Sequence, residues 1–598
     1  MGKPLNYEKH GVTEAVAGLG GVGKPTCSAC GSLQLRQGGE EMDGFVPWPA
    51  EFAQKYREAG YWLDQTISEV MDESFARFES RTALIMDNGQ RFTYGELRTL
   101  ATRLALHLNN LGLKVYDRLL LHMPNVAELV ITYLAALKAG VIPIMALAAH
   151  RQAEIGYFAK LSEARALAIT DSFRGFNYQE MAADVQGENP TLEHVLVAGG
   201  EPRGAYLSID ALLRDPIEER ISTARLPRPD PDLPAVIILS GGTTGVPKLV
   251  PHTHNDYVYI SRRNATICEF DQDTVTLIAI PQGHNFALAT PGLQAVLFQG
   301  GCEVLSSDPS PLAMMDLIQK FRVTHCSAVP TIILGMLDHP NRSEYDLSSL
   351  KVILTGGAKL NPEVALRIRP ELGCEVQQVL GMAEGFLFWN RLGEPDEINL
   401  YTQGRPQSPG DEFKIVDPAT GTEVPQGEVG EVWGRGPHTI RGYYRAPEHN
   451  AKAFTPDGFY KTGDLVRLHP SGNVVSEGRI KDCINRGGEK ISAEEVEMHI
   501  LAHPQVDSCA CVAMPDPSLG ERTCAYVIPS HGAELTLERL NDFLLNERKI
   551  AKFKLPERLE LVDAFPVTPV GKLSKKTLRE MISARVEAER AAHSRHRE

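Results

Sequence analysis

Short apolar strands alternate with amphipathic helices through the first two thirds of this 598-residue chain, and that alternation constrains its architecture more than any other feature. Thr93-Tyr-Gly-Glu96 is a capping box, in which a hydroxyl and a carboxylate cover free helix N–H groups. Leu97, Leu100, Ala101, Leu104 and Leu108 follow at helical spacing. Residues 118–123 then read as strand, 126–139 as helix and 140–146 as strand, and the rhythm returns at 275–280, 324–329 and 352–354. Helices between short apolar strands mean βαβ units and parallel sheet, an α/β fold. From about Gly404 the texture changes to short strands separated by Gly, Pro and Asp turns, which predicts a small antiparallel β region. After Gly478 a new unit begins, with a strand at 509–514 and amphipathic helices at 493–502 and 537–546. The charged tail from Ser583 is expected to fray.

So long a chain exceeds one ordinary core and implies at least two domains. Lys plus Arg number 61 and Asp plus Glu 76, a net charge of −15, which argues against nucleic acid as a partner. No apolar run approaches the length of a membrane span, and residues 1–40 lack a hydrophobic signal core. The ten cysteines are scattered, several in apolar segments (Cys302, Cys326, Cys509, Cys511), as expected of reduced thiols in a cytoplasmic protein. Two N-terminal patterns are decoys. Gly18-Leu-Gly-Gly-Val-Gly-Lys24 runs into Pro25, where a phosphate-binding P-loop needs Ser or Thr. Cys27 and Cys30 form one Cys-x-x-Cys pair, half of what a structural zinc requires. Residues 1–42 read as a flexible extension.

Residues 239–248 carry the chemistry: Leu-Ser-Gly-Gly-Thr-Thr-Gly-Val-Pro-Lys, after an apolar run at 235–239. A glycine-rich turn lets backbone N–H groups converge on phosphate oxygens. Ser240, Thr243 and Thr244 add hydroxyls, Gly241, Gly242 and Gly245 give the backbone freedom, and Lys248 adds a point charge. With Gly381-Met-Ala-Glu384, Lys461-Thr-Gly-Asp464, Gly478-Arg-Ile-Lys-Asp482 and Pro569-Val-Gly-Lys572 in the same order, this loop resembles the adenylate-forming superfamily of acyl-CoA synthetases, luciferases and peptide-synthetase adenylation domains. The likeness spans residues 45–580.

That resemblance implies a body at 43–478 of two Rossmann-like α/β subdomains plus a distorted β-barrel (404–478), a hinge at 479–482, and a small mobile α+β domain at 483–582 before a charged tail at 583–598. It implies a reaction of carboxylate with ATP to give acyl-AMP and pyrophosphate. Glu384 would hold Mg²⁺ on the ATP phosphates, a hard cation preferring carboxylate oxygen. Asp464 would accept both ribose hydroxyls, and Arg479 would contact ribose and phosphate. Gly357, Ala358, Val379, Gly381, Met382 and Ala383 would border the nucleotide. Lys481 would be the pivot, and Gly487-Gly-Glu-Lys490 would reach the thiol tunnel. Lys572 would bridge carboxylate and α-phosphate oxygens, offsetting negative charge.

His284-Asn-Phe286 is the clue to the acid. Where amino-acid-activating relatives have an aspartate for the α-ammonium, Asn285 is neutral and leaves that cation without a charged partner. The pattern resembles stand-alone aryl-acid AMP ligases, with His284 in the catalytic group and Asn285, Phe286, Thr290, Gly356, Val379 and Leu387 around the ring. Thr290 and Leu387 are larger than the Ser and Val common in dihydroxybenzoate enzymes, which favours salicylate or another ortho-substituted aryl acid. The expected acceptor is the phosphopantetheine thiol of an aryl carrier protein or peptide synthetase in trans. An aryl-CoA ligase, with Lys552, Lys554, Lys575 and Lys576 near the nucleotide of coenzyme A, and a catalytically inactive adenylate-binding protein are the alternatives.

Overall fold

The computed structural model describes residues 42–240, 248–486, 489–516, 519–548, 550, 552–568 and 572–595. The expectations for residues 18–24 and 27–30, for Gly241, Gly242, Thr243, Thr244 and Gly245, and for Gly487 and Gly488 lie outside the described residues. The sheets all lie in the compact unit from Asp43 onward.

Two α/β sheets form most of that unit. In the nine-stranded sheet, six adjacent strands are parallel: Glu375–Gly381, Val352–Gly356, His325–Ala328, Val275–Ile278, Cys302–Leu305 and Thr82–Met86. Antiparallel strands close both edges. In the seven-stranded sheet, Pro234–Leu239, Ile142–Leu147, Arg118–Met123, Ala166–Thr170, His194–Ala198 and Leu207–Ser208 are parallel, with Leu249–Thr253 antiparallel at one edge. Parallel strands need crossovers, and the helices supply them. One is Ala127–Lys138, buried at every position but Glu128. The strand after it starts at Ile142 rather than at Gly140, because Gly140 takes φ +70° to end the helix. Tyr94–Asn110 instead leads from the nine-stranded sheet to the seven-stranded one, and its Thr93–Glu96 capping box forms as the sequence predicts.

Between body and C-terminal region lies a four-stranded antiparallel sheet: Glu412–Val416, Gly430–Arg435, Tyr460–Leu468 and Val474–Arg479. The sequence reading expected a distorted barrel here, and the described residues form an open sheet instead. Phe413, Ile415, Val432, Val466 and Val474 join the main apolar core, so this sheet buries its face against its neighbours and need not close on itself.

The C-terminal sheet contains Glu489–Ser492, Cys483–Arg486, Gly520–Pro529, Val506–Asp516 and Arg558–Leu561. Period-two alternation gives it two apolar faces. Cys509, Cys511 and Val527 face Val496 and Ile500 of the helix Ala493–Leu501 and Leu540 and Leu544 of Leu537–Asn546. Ala510, Val512, Cys524 and Tyr526 face Leu578, Ile582 and Val586 of the helix Lys575–Arg595. That last helix corrects the expected fraying tail. Its buried stripe at 578, 582 and 586 continues past Ser583, so the chain stays helical to Arg595. Truncating the fully buried Ile582 to Ala should destabilise the C-terminal region by about 2–5 kcal/mol. Denaturant unfolding followed by hydrogen exchange on 506–516 would report it.

Candidate active site

Three loops leave the same edge of the nine-stranded sheet, after the strands Val275–Ile278, Val352–Gly356 and Glu375–Gly381. The C-terminal edge of a parallel sheet is where α/β folds bind ligands.

The loop after Val275–Ile278 carries His284 and Asn285. His284 caps the short helix Asn285–Leu288, its Nδ1 accepting from Phe286 N at 3.1 Å. Burial, then the nearby Lys572 charge, push its pKa down to about 3, so the ring is neutral. Asn285 is buried, and its Oδ1 accepts from the Tyr257 hydroxyl at 2.8 Å. The Thr290 N–H donates to the Asn285 carbonyl at 3.0 Å, while Thr290 Oγ1 is buried with no partner among the described residues. Phe286 and Leu387 are buried beside Val379 in the main core. A Cβ on Gly356 would meet Val379 Cγ1 at 2.5 Å, and one on Gly381 would run into Leu387 Cδ2, so both glycines permit tight packing against these side chains.

Gly357 and Ala358 are exposed, next to the strand end, and Gly357 has φ +82°. A Cβ on Gly357 would collide with the side chain of Lys572. Lys572 thus reaches this edge from the C-terminal region. Burial and then the Arg479 guanidinium lower its pKa to about 8, against the opposing pull of Asp464. Arg479 Nε lies 2.6 Å from Asp464 Oδ1, and the Asp464 charge raises the Arg479 pKa. Asp464 is buried, and its Oδ2 has no hydrogen-bond partner among the described residues. A buried carboxylate oxygen with a spare acceptor site suits a ribose hydroxyl. Lys481, in the turn Ile480–Asp482, also falls to about 8, through burial and then Arg479. Its neighbour Asp482 pairs with Arg579 at 2.6 Å.

Glu384 is buried, and its Oε1 accepts from the Tyr443 hydroxyl at 2.6 Å. The Tyr443 hydroxyl also lies 3.2 Å from that of Tyr460. Burial, then the Glu384 charge, raise both phenols, which stay protonated donors. Met382 N donates to Phe386 O at 3.3 Å, and the carbonyl of Ala383 accepts from His252. Lys248 Nζ lies 5.8 Å from the centre of the Tyr443 ring, so the lysine ending the glycine-rich loop faces the Glu384 region. Ser240 anchors that loop: its N–H donates to Lys248 O at 3.0 Å and its Oγ accepts from Lys248 N at 3.1 Å. Among the described residues no group of three or more His, Cys, Asp or Glu could hold a metal. A magnesium ion here would therefore be held by the single Glu384 carboxylate and by phosphate oxygens, which is how this ion is commonly bound.

The sequence reading missed Tyr257, Tyr443 and Tyr460. Each is a core-sized aromatic with a polar tip, and only the fold reveals which carboxylate or amide that tip meets.

An unpartnered carboxylate oxygen on Asp464, a lysine from the C-terminal region at the sheet edge and the buried Glu384 carboxylate are the polar groups gathered here. The chain belongs to the AMP-binding enzymes: the family matches residues 71–444 and its C-terminal domain matches 495–572. AMP-binding enzymes use ATP with Mg²⁺. The chain is 44% identical to 2,3-dihydroxybenzoate-AMP ligase of Bacillus subtilis (strain 168), over 91% of this chain and 99% of the relative. It is 45% identical to a Streptomyces sp. protein named salicylyl-CoA synthase / salicylate adenylyltransferase, over 91% and 99%. Among solved structures it is similar to apo MbtA of Mycobacterium smegmatis, with TM-score 0.68, 40% identity, and 90% and 98% of the two chains covered. No helix among the described residues is long and apolar enough to cross a membrane.

A Lys572 pKa of about 8 sets a pH limit. Lysine is charged below its pKa, so kcat/KM for acyl-AMP formation should fall as pH rises through about 8. Lys572→Arg, which keeps its charge, should move that limb upward in a pH–rate profile of pyrophosphate release.

Proposed function

We propose that this enzyme activates an ortho-hydroxylated aromatic carboxylic acid of the salicylate or 2,3-dihydroxybenzoate type as its AMP ester, then passes the aryl group to the phosphopantetheine thiol of a carrier protein or peptide synthetase. Asn285 carries the reading. Its Oδ1 already accepts from the Tyr257 hydroxyl, and its amide N–H is a donor that an acid can meet. An ortho hydroxyl oxygen accepts that donor. An α-ammonium finds no compensating charge at this neutral amide. One observation favours the dihydroxylated acid: the unpartnered, buried Thr290 hydroxyl would gain a partner from a second ring hydroxyl.

In the first half-reaction a carboxylate oxygen attacks the α-phosphorus, the bond to the β-phosphate breaks, and pyrophosphate leaves. The Lys572 ammonium would offset charge between the two reacting groups, and Lys248 would face the phosphates. Asp464 Oδ2 would receive the ribose hydroxyls. His284, neutral and engaged through Nδ1, would turn its other ring nitrogen to the substrate. Magnesium held at Glu384 would neutralise phosphate charge.

Three of the four lysines that could have formed a coenzyme A site face carboxylates of their own chain: Lys554 with Glu495 at 2.5 Å, Lys575 with Glu497 at 2.7 Å and Lys576 with Glu580 at 3.9 Å. That pairing supports a carrier-bound thiol over free coenzyme A.

Acid-dependent ATP–pyrophosphate exchange with salicylate, 2,3-dihydroxybenzoate, 3-hydroxyanthranilate, 3-hydroxypicolinate, benzoate, a fatty acid and amino acids tests the first step. Exchange should be strongest with salicylate or 2,3-dihydroxybenzoate, and exchange confined to amino or fatty acids would overturn the reading. Lys572→Ala should lower exchange by about 10²-fold or more while sparing transfer from preformed aryl-AMP to a pantetheinylated carrier. Equal loss of both steps would refute the lysine's assigned role.

A further inference from the structure

Three consecutive carbonyls on the Glu384 loop are each held by a donor from elsewhere in the chain. Ala383 O accepts from His252 Nε2 at 2.8 Å. Glu384 O accepts from Ile440 N at 2.9 Å. Gly385 O accepts from His438 Nδ1. Each histidine is backed by a buried carboxylate. His252 Nδ1 lies 2.8 Å from Asp256 Oδ1, and neither side chain is exposed. Asp256 is itself fixed by the Thr253 N–H at 2.8 Å in a helix cap. His438 Nε2 lies 3.3 Å from Asp411 Oδ1, again with both side chains buried, and Asp411 accepts from Ser408 N at 2.9 Å.

The fit is close. Gly385 adopts φ +95°, and a Cβ there would collide with the His438 carbonyl, so no side chain could stand between loop and histidine. Burial works against charge on His438, but Asp411 outweighs it and raises the imidazole above its ordinary value, which keeps it a donor. His252 also stacks on Tyr257, ring centres 4.8 Å apart, and Tyr257 is the donor to Asn285. A carboxylate that must meet a metal gains from a backbone that cannot drift, and groups that orient a ligand from behind commonly change metal affinity 10–100-fold.

We propose that His252 and His438 are positioning residues: by gripping the carbonyls on either side of Glu384 they fix its carboxylate, and so set how much more tightly the enzyme holds magnesium-loaded ATP than ATP alone. This rests on the reading of Glu384 as the magnesium carboxylate. Neither histidine touches substrate in that reading.

Asparagine and glutamine separate this role from simple packing. An Asn side chain carries its amide nitrogen near the place of a histidine Nδ1, and a Gln side chain near that of Nε2. His252 grips through Nε2 and His438 through Nδ1. His252→Gln and His438→Asn should therefore keep the grip, while His252→Asn and His438→Gln should lose it. Calorimetric titration of the full chain with ATP, once in EDTA and once with Mg²⁺, measures the gain that magnesium gives. The two gripping variants should retain that gain, and the two others should lose about tenfold of it with ATP binding in EDTA unchanged. In steady-state exchange, the KM for Mg·ATP should rise more than the KM for the acid. Equal weakening with and without magnesium, or the same result for Asn and Gln at each position, would overturn the proposal and mark the histidines as packing. Glu384→Gln separates the two levels: if it leaves the magnesium gain intact, the metal assignment itself falls, and the positioning role with it.

Discussion

Six parallel strands must all end on one edge, and this register is what the rest of the site depends on. Because Val275–Ile278, Val352–Gly356 and Glu375–Gly381 run the same way, their following loops emerge side by side. The Asn285 amide, the glycines Gly356 and Gly357 and the Glu384 carboxylate are therefore carried on adjacent loops, although about a hundred residues separate Asn285 from Glu384. Adjacent antiparallel strands would have sent alternate loops to opposite edges. Packing enforces the arrangement: Gly356 and Val379 are register partners, and only a glycine leaves room for the valine.

On that edge, polar groups are fixed in pairs before any ligand arrives. Asp464 holds Arg479, Glu384 holds Tyr443, and Asn285 holds Tyr257. Each pair meets part of the partner's hydrogen-bonding capacity and leaves the remainder unmet within the pair. Burying such groups is costly unless they are partnered, so the tyrosines let carboxylate and amide sit in the core without collapsing into alternative contacts. The same logic extends to the C-terminal region, where Lys554 and Lys575 are neutralised by Glu495 and Glu497 and present little free charge to an incoming nucleotide.

Features encoded locally were legible in the sequence. The Thr93–Glu96 cap and the strand periodicity depend on neighbouring residues, and most strands and helices formed within a residue or two of their expected limits, the strand expected at 509–514 running longer, from Val506 to Asp516. What was not legible depends on distant surfaces. The sheet from Glu412 to Arg479 stays open because another part of the chain covers its face. The last helix outruns its charged composition because Val586 finds a strand to pack on. His252 lies 131 residues from the carbonyl it grips, and Tyr443 lies 59 from its carboxylate, separations that carry no periodic or motif signal.

The collision that any side chain at Gly357 would have with Lys572 has a bearing on reach. The space that glycine leaves vacant is filled by the tip of a lysine brought in from the C-terminal region. Two occupants cannot share it. Even a methyl group at 357 would push the ammonium back from the sheet edge, so one missing carbon in the body decides how far the lysine of another region can extend.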